Sequence, residues 1–338
     1  MLLKGTKEQL DTVNEQHRLE RFSMQRFQGS DDDIRFWTGF FSYDAFAAFY
    51  RNLMEPNMGR MKYWGSDNSD WDTDGEGSTK RGAKRRLLPI DEVFLTLVKL
   101  KRGSANADIG ERFNIDDRHV SRIFISVVTL MHDILTKFDI WLTRKKVKKF
   151  LPKCFQPLYK DVRVIIDCTE IRVERPSDFE VQGATYSSYK SCNTLKALVG
   201  ISPSGIPTYV SDLFEGSISD NAITMKCSDF VDRLEPGDAV MSGRGWTCKG
   251  YFAKRGVRMV TPHFLGSRKQ MALTELVESV ALARVRIHVE RCMGRIKQWH
   301  FLTSCVPLTF WKIISKIFKT CAYLVLFWPP LLNNPDEM

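Results

Sequence analysis

The sequence predicts an α/β fold, a mixed sheet flanked by helices, preceded by an all-α module. Three observations support this prediction. Residues 87–135 have helical periodicity, Val162–Ile166 has the composition of a buried strand, and the chain from there to residue 299 alternates short strands with helices. The order β-β-β-α-β-α-β-α, with three consecutive strands first, is the order expected of an RNase H-like mixed sheet.

Composition and charge limit the class of protein. The chain has 338 residues, 43% hydrophobic and 27% charged, which is ordinary for a soluble globular protein. The net charge of +10 and the pI of about 9.2 suit a polyanionic partner without identifying nucleic acid. Charged residues interrupt the N-terminal stretch, so no signal peptide is predicted, and the apolar run Cys321–Trp328 is too short to span a bilayer. The eight cysteines form no C-x-x-C pair, which argues against zinc and favours a reduced intracellular compartment.

Shifts in composition suggest where the domains begin and end. We expect an N-terminal helical and aromatic segment (1–64), a flexible basic linker (65–86), a helix-turn-helix module (87–140), a basic connector (141–161), an α/β domain (162–328) and a tail (329–338).

The predicted module has three helices. Pro89 opens the first, which runs to about Lys101 and is ended by Gly103, Ala105–Phe113 forms the second, and an Asp cap begins the third. A short helix, a tight turn and a helix that opens with basic and hydroxyl side chains are typical of the helix-turn-helix, although small helical bundles share these lengths. A basic cluster precedes the module and is either a solvated charge run, a phosphate-contacting arm or a nuclear import signal. The candidate DNA-binding residues here are Lys84, Arg85, Arg86, Arg118, His119, Ser121 and Arg122.

The strand Val162–Ile166 ends at an acid. Four of its five residues are β-branched, and Asp167 follows where the apolar run stops. A buried carboxylate requires a partner, which is either a divalent cation or a basic side chain. The long helix Thr274–Trp299 carries a second candidate, Glu290, whose simpler interpretation is a salt bridge with Arg286.

Several motifs in order resemble the DDE superfamily endonuclease domain of the Tnp4 type, found in Harbinger and IS4/IS5-like eukaryotic transposases. The resemblance covers about residues 162–325 and extends upstream to the predicted helix-turn-helix and to Phe36–Leu53. The matching segments are Asp167–Glu170, Tyr186–Lys190, Asn193-Thr194, Gly200–Gly205, Gly216–Asp220, His288–Arg291 and Gly294–Lys297.

The resemblance implies which residues carry the chemistry. It assigns Asp167 and Glu290 as catalytic residues and ligands of divalent Mg or Mn, with binding weakened in this chain. The family's second Asp stands in a segment like Ala-Asp-Arg-Gly-Phe, and here Gly243 takes its place in Ser242–Trp246. Asp220 is a further candidate metal ligand, because its loop could reach the same rim. The basic residues Arg291, Arg295 and Lys297 would hold the phosphate backbone.

The implied activity is cleavage and joining of DNA strands by metal-assisted phosphoryl transfer at transposon terminal repeats. Because Gly243 has no ligand atoms, we expect this activity to be weak or lost. The first alternative is a domesticated or decayed DNA-binding protein without catalysis, and the second is a scaffold that binds other proteins. A nuclear location, with a cytoplasmic fraction, and homo-oligomerisation complete the expectations.

Overall fold

The computed structural model describes residues 21–63, 85–156 and 158–331, which form two compact units. Unit 1 comprises the chain up to Leu135 together with Trp299–Phe301, and unit 2 comprises Thr136–Gln298 and the chain from Leu302. Lys84, most of the expected basic linker and the start of the N-terminal segment lie outside the described residues.

Unit 1 is helical. Its helices are α1 (Met24–Phe27), α2 (Asp31–Thr38), α3 (Tyr43–Phe49), a π-helical turn (Tyr50–Met54), α4 (Glu55–Met58), α5 (Pro89–Arg102), α6 (Asn106–Phe113) and α7 (Asp117–Leu135). The hydroxyls of Ser30 and Ser42 cap α2 and α3 by accepting hydrogen bonds from backbone N–H groups. Helix α3 continues through the π-helical turn into α4.

Helices α5, α6 and α7 confirm the three predicted helices. Gly103 ends α5 at a φ of 66°, and Asn114 ends α6 at a φ of 53°. Gly110 allows the turn to close against α6, because a Cβ there would lie 2.6 Å from the carbonyl oxygen of Ile115. Helix α7 buries Val120, Phe124 and further residues at spacings of three and four against the rest of the unit.

A short late segment completes the core of unit 1. Trp299 has an exposed fraction of 0%, and a Cβ placed on Gly39 would lie 3.0 Å from its ring. The rings of Phe301 and Phe124 lie 5.5 Å apart between centroids. The predicted helix Thr274–Trp299 is therefore wrong at its end. It stops at Ile296, because Lys297 ends the α-helix and a 3₁₀ turn at His300–Leu302 follows.

Unit 2 contains a mixed sheet. Among the described residues its strands are β1 (Val162–Arg172), β2 (Tyr186–Ser187), β3 (Cys192–Ile201), β4 (Pro207–Val210), β5 (Phe214–Glu215), β6 (Ala239–Met241) and β7 (Arg258–Val260). The order is β2-β3-β1-β6-β7, with β4 and β5 also paired to β3. Strands β1 and β3 are antiparallel, whereas β1, β6 and β7 are parallel. This sheet, flanked by helices, confirms the predicted fold class.

Helices cover the sheet. They are α8 (Arg144–Lys149), α9 (Phe179–Thr185), α10 (Asp220–Lys226), α11 (Ser228–Val231), α12 (Lys249–Ala253), α13 (Leu273–Ile296) and α14 (Ile314–Leu324). One core joins Val164 and Ile166 of β1 to Val240, Phe230 and Phe252. No helix of the described residues is long and apolar enough to cross a membrane.

One local prediction in unit 2 is wrong. Strand β1 does not stop before Asp167 but runs to Arg172, because its ladder with β3 continues from Ile165 to Arg172. Helix α9 follows β1, and Asp178 caps it with its carboxylate. Helices α10 and α11 are separate, because Cys227 leaves helical geometry between them at a ψ of 66°.

Candidate active site and basic surfaces

Asp167 lies in the middle of β1, next to helix α13. Its Oδ1 accepts a hydrogen bond of 3.0 Å from the backbone N–H of Cys168, and its Oδ2 lies 4.0 Å from Nη2 of Arg286. Burial raises the pKa of Asp167, the charge of Arg286 opposes that shift, and the charges of Asp220 and Glu290 add to it. The three predicted acids are thus close enough for their charges to interact.

A second group of charges surrounds Glu170. The antiparallel register pairs Glu170 with Lys196, whose Nζ lies 3.5 Å from Oε1 of Glu170 and 3.3 Å from Oδ1 of Asp220. Thr194 donates a hydrogen bond of 2.8 Å to Glu170. Because side chains alternate along the regular ladder, Glu170 and Asp167 project from opposite faces of β1. Lys196 therefore neutralises Glu170 and Asp220 away from the face on which Asp167 projects.

Gly243 lies just beyond the end of β6. The parallel register pairs Ile165 with Met241, the last residue of β6, so Gly243 follows this pair by two residues, as Asp167 does on β1. A Cβ on Gly243 would lie 3.2 Å from Nη2 of Arg286 and 3.4 Å from the Trp246 ring. The guanidinium of Arg286 therefore lies next to both positions, and no ion pair within 4.0 Å joins it to Glu290 in the described part of the chain.

The basic residues of α13 have different surroundings. Arg291 is exposed, whereas Arg295 donates hydrogen bonds to the backbone carbonyls of Pro329 and Pro330. Burial and then Lys190 lower the pKa of Lys297, while Glu170 and Asp167 act to raise it, so Lys297 lies near the acids. Arg291 and Lys297 are better placed to meet a phosphate backbone than Arg295.

The predicted DNA-binding residues of unit 1 divide into two groups. Arg118 and Arg122 are exposed on the first turns of α7, with Ser121 half-buried beside them. Asp116 caps the same turn by accepting a hydrogen bond from the backbone N–H of His119, contacts the His119 ring, and also pairs with Arg86 at 3.6 Å. Arg118 and Arg122 are therefore the cations of this helix start that solvent and a ligand can reach.

The side chain of Arg85 contacts buried groups of unit 1. It donates a hydrogen bond to the carbonyl oxygen of Met58 and lies 3.5 Å from the buried carboxylate of Glu92. Tyr63 also donates to Glu92, whose pKa is raised mainly by burial. Arg85 thus compensates a buried charge, which the basic cluster in the sequence does not reveal.

Comparison with known families adds to this geometry. Residues 166–325 match the model of the DDE superfamily endonuclease family, and residues 85–137 match that of the helix-turn-helix of DDE superfamily endonuclease. Unit 2 is therefore similar to a DDE superfamily endonuclease domain over most of its sheet and helices. A comparison with curated proteins found no match. The second match covers α5, α6 and α7, so these helices are similar to the helix-turn-helix that accompanies such domains.

DDE superfamily endonucleases generally use divalent metals, so the acids must be tested against that requirement. The described residues contain no group of three or more His, Cys, Asp or Glu side chains that could hold a metal ion. Gly243 has no donor atom, and the neighbouring Arg286 is a cation. The residues present therefore do not fit the metal centre that the family implies.

Two residues of this region escaped prediction from sequence. Lys196 is central to the charges around Glu170, and Arg286, which the sequence suggests as a partner of Glu290, instead lies beside Asp167. The cross-strand register determines the first contact and the packing of α13 against β1 determines the second. A lysine opposite a glutamate in predicted neighbouring strands was the only available signal for Lys196.

Proposed function

We propose that this protein descends from a DDE transposase, binds DNA and no longer cleaves it. The observation that carries the proposal is Gly243, which lies just beyond the end of β6, offers no oxygen and lies beside the guanidinium of Arg286. Two-metal phosphoryl transfer needs carboxylates that converge on a pair of cations. A guanidinium next to the vacant ligand position repels a divalent cation instead of holding it. The sequence motifs favour a Harbinger or IS4/IS5-like ancestor.

A cleavage assay tests the loss of activity. Duplex DNA carrying transposon terminal repeats is incubated with Mg²⁺ or Mn²⁺ and either the unmodified chain, Gly243→Asp or Gly250→Asp. We expect strand cleavage only with Gly243→Asp, at least about a hundredfold above the unmodified chain, because a missing or misplaced ligand costs this much in rate. The new side chain meets the flexible end of Arg286, which can move by a few tenths of an ångström.

Gly250→Asp is the matched control, since it adds the same charge on α12 where a Cβ meets nothing within 4 Å. Cleavage by the unmodified chain that Asp167→Ala abolishes would contradict the proposed loss of activity.

A cleavage-competent nuclease is the second candidate. The charge of Asp220 raises the pKa of Asp167, so this carboxylate lies near enough to be considered as a replacement ligand. The ion pair of Asp220 with Lys196 at 3.3 Å favours a structural role for Asp220. If the unmodified chain cleaves DNA, Asp220→Ala distinguishes these roles, because only a replacement ligand makes cleavage depend on Asp220.

DNA binding separates both candidates from a protein-binding scaffold. Binding of duplex DNA should weaken steeply as salt rises, because cationic side chains release condensed counterions from the phosphates. No detectable binding at low salt would favour the scaffold.

Location and assembly belong to the same proposal. We expect a nuclear protein, with a cytoplasmic fraction, because Lys80–Arg86 is a basic cluster of the kind that directs nuclear import. A fluorescent fusion in which Lys80, Arg81 and Lys84 are replaced, with Arg85 and Arg86 kept for their contacts to Glu92 and Asp116, should lose nuclear enrichment. Light scattering of the purified chain would determine whether it forms the expected homo-oligomer.

A further inference from the structure

A basic cavity lies at the start of strands β1 and β6 in unit 2. It has a volume of about 450 Å³, within the range of small-molecule sites. Four cationic side chains line it, namely Arg144, Lys148, Lys160 and Arg163. Arg163 precedes Asp167 by four residues of β1, or about 13 Å at roughly 3.3 Å per residue. The cavity is therefore separate from the candidate catalytic residue Asp167.

Arg163 is the unusual member of this cavity. Its exposed fraction is 4%, and its Nε and Nη1 are buried without a hydrogen-bond partner among the residues that the structure describes. The pairing of β1 with β6 shifts register between Val162 and Val164, so Arg163 occupies an irregularity of the kind that redirects a side chain. The guanidinium lies 5.3 Å from the centroid of the Trp141 ring, which holds it in place.

The carboxylates nearby leave positive charge uncompensated. Asp238 lies 3.9 Å from Nε of Arg163, too far for a hydrogen bond, and it already accepts from Arg144 and from the backbone N–H of Glu235. Asp161 is bound by two nitrogens of Arg258. Lys148 and Lys160 are exposed, and neither has an ion pair within the described residues.

From these contacts we infer that the cavity binds an oxyanion of the phosphate type. A buried guanidinium with two nitrogens that lack acceptors is costly, and a tetrahedral oxyanion supplies both negative charge and the missing acceptors. Lys148 and Lys160 would add two point charges at the mouth. The phosphate belongs either to a free phosphorylated molecule or to a DNA backbone. The inference does not rest on the proposed function, because the residues that line the cavity include neither Asp167 nor any residue of the helix-turn-helix match.

Thermal unfolding in inorganic pyrophosphate tests the site. Pyrophosphate should raise the unfolding midpoint of the full chain saturably, whereas sodium chloride at equal ionic strength should not. The double variant Lys148→Gln, Lys160→Gln should weaken the apparent affinity at least about tenfold, and Arg163→Gln should do the same if it folds. The control Lys145→Gln, Lys149→Gln removes the same charge from exposed residues of α8 that do not line the cavity, and it should leave the affinity unchanged.

Equal stabilisation by chloride, or an equal loss of affinity in the control, would overturn the inference. Acetylation of Lys148 and Lys160, followed by mass spectrometry, separates the two sources of phosphate. If pyrophosphate protects the two lysines from acetylation at a lower concentration than duplex DNA does, counted as phosphate, the ligand is a free anion. If duplex DNA protects them at the lower phosphate concentration, the ligand is the DNA backbone. Protection by neither would also overturn the inference.

Discussion

At the scale of single residues, Gly243 and Arg286 determine how the acids behave. The proposal that Gly243 replaces the family's second Asp rests on the sequence, because the segment Ser242–Trp246 resembles a family motif. That the guanidinium of Arg286 lies within reach of a Gly243 Cβ is visible only in three dimensions. A cation therefore lies beside both Asp167 and Gly243.

His288 gives a prediction about pH. It is fully buried, both ring nitrogens lack hydrogen-bond partners in the described part of the chain, and burial followed by the charge of Arg291 lowers its pKa. The unfolded chain protonates this residue near pH 6.5, whereas the folded chain does so only at lower pH. Stability should therefore be complete above about pH 6.5 and fall as the pH drops below it, by at most about 1.4 kcal/mol per pH unit.

Unfolding midpoints between about pH 5 and 8 check this prediction on the unmodified chain and on His288→Met, whose side chain does not titrate in this range. The variant should lose less stability on acidification. Parallel pH profiles for the two proteins would show that His288 does not cause the loss.

At the scale of elements, the pairing of β1 with β3 places the largely buried Lys196 opposite Glu170. Lys196 serves two carboxylates, and its side chain and that of Glu170 are 12% and 9% exposed. Removing one partner of a buried pair typically costs 3–5 kcal/mol. Lys196→Met should therefore lower the free energy of unfolding by roughly 3–5 kcal/mol at neutral pH.

Chemical denaturation of Lys196→Met measures this loss, and adding Glu170→Gln should restore part of it. Lys254→Met replaces an exposed lysine of unit 2 as a control and should change stability by less than about 0.5 kcal/mol. Equal losses in the two single variants would mean that the cross-strand pair is not responsible.

Helix α7 gives a prediction about DNA. Arg118 is exposed on its first turn, within the helix-turn-helix match. Arg118→Ala should weaken binding to a mixed-sequence duplex and reduce the slope of log affinity against log salt by about 1, because one phosphate contact is lost. Fluorescence anisotropy at several salt concentrations measures both quantities.

Arg51→Ala is the matched control, an exposed arginine of unit 1 outside the helix-turn-helix match. A slope unchanged in Arg118→Ala, or reduced equally in the control, would place the DNA contact elsewhere.

At the scale of the whole molecule, unit 1 is not continuous in sequence. Trp299 is fully buried in it, against Gly39 and near Lys101, whereas the residues before and after Trp299–Phe301 belong to unit 2. Replacing a large buried aromatic by alanine costs about 3–5 kcal/mol. Trp299→Ala should therefore destabilise unit 1 by this amount, and a fragment that ends at Leu135 should lack a stable core.

Hydrogen exchange of the amides in α5 and α7 measures this effect. Trp311→Ala serves as the control, because Trp311 is 41% exposed and its loss should leave these amides protected. Full protection in the fragment that ends at Leu135 would show that unit 1 folds without Trp299.

The sequence by itself determined the elements and the family resemblance. The period of apolar residues predicted α5, α6 and α7, the β-branched run predicted the start of β1, and the element order predicted the mixed sheet. These signals are local, because each depends on residues a few positions apart along the chain. Local patterns also misplaced some ends, since a ladder with a distant strand extended β1 beyond Asp167.

Only the tertiary structure decided which charges meet. Register placed Lys196 opposite Glu170, helix packing brought Arg286 beside Asp167 and Gly243, and an irregular pairing placed Arg163 in a cavity. Pairing of distant segments depends on how their surfaces fit, which no single stretch of sequence encodes. Asp167 was therefore identifiable from the sequence as a candidate, but its cationic neighbour was not.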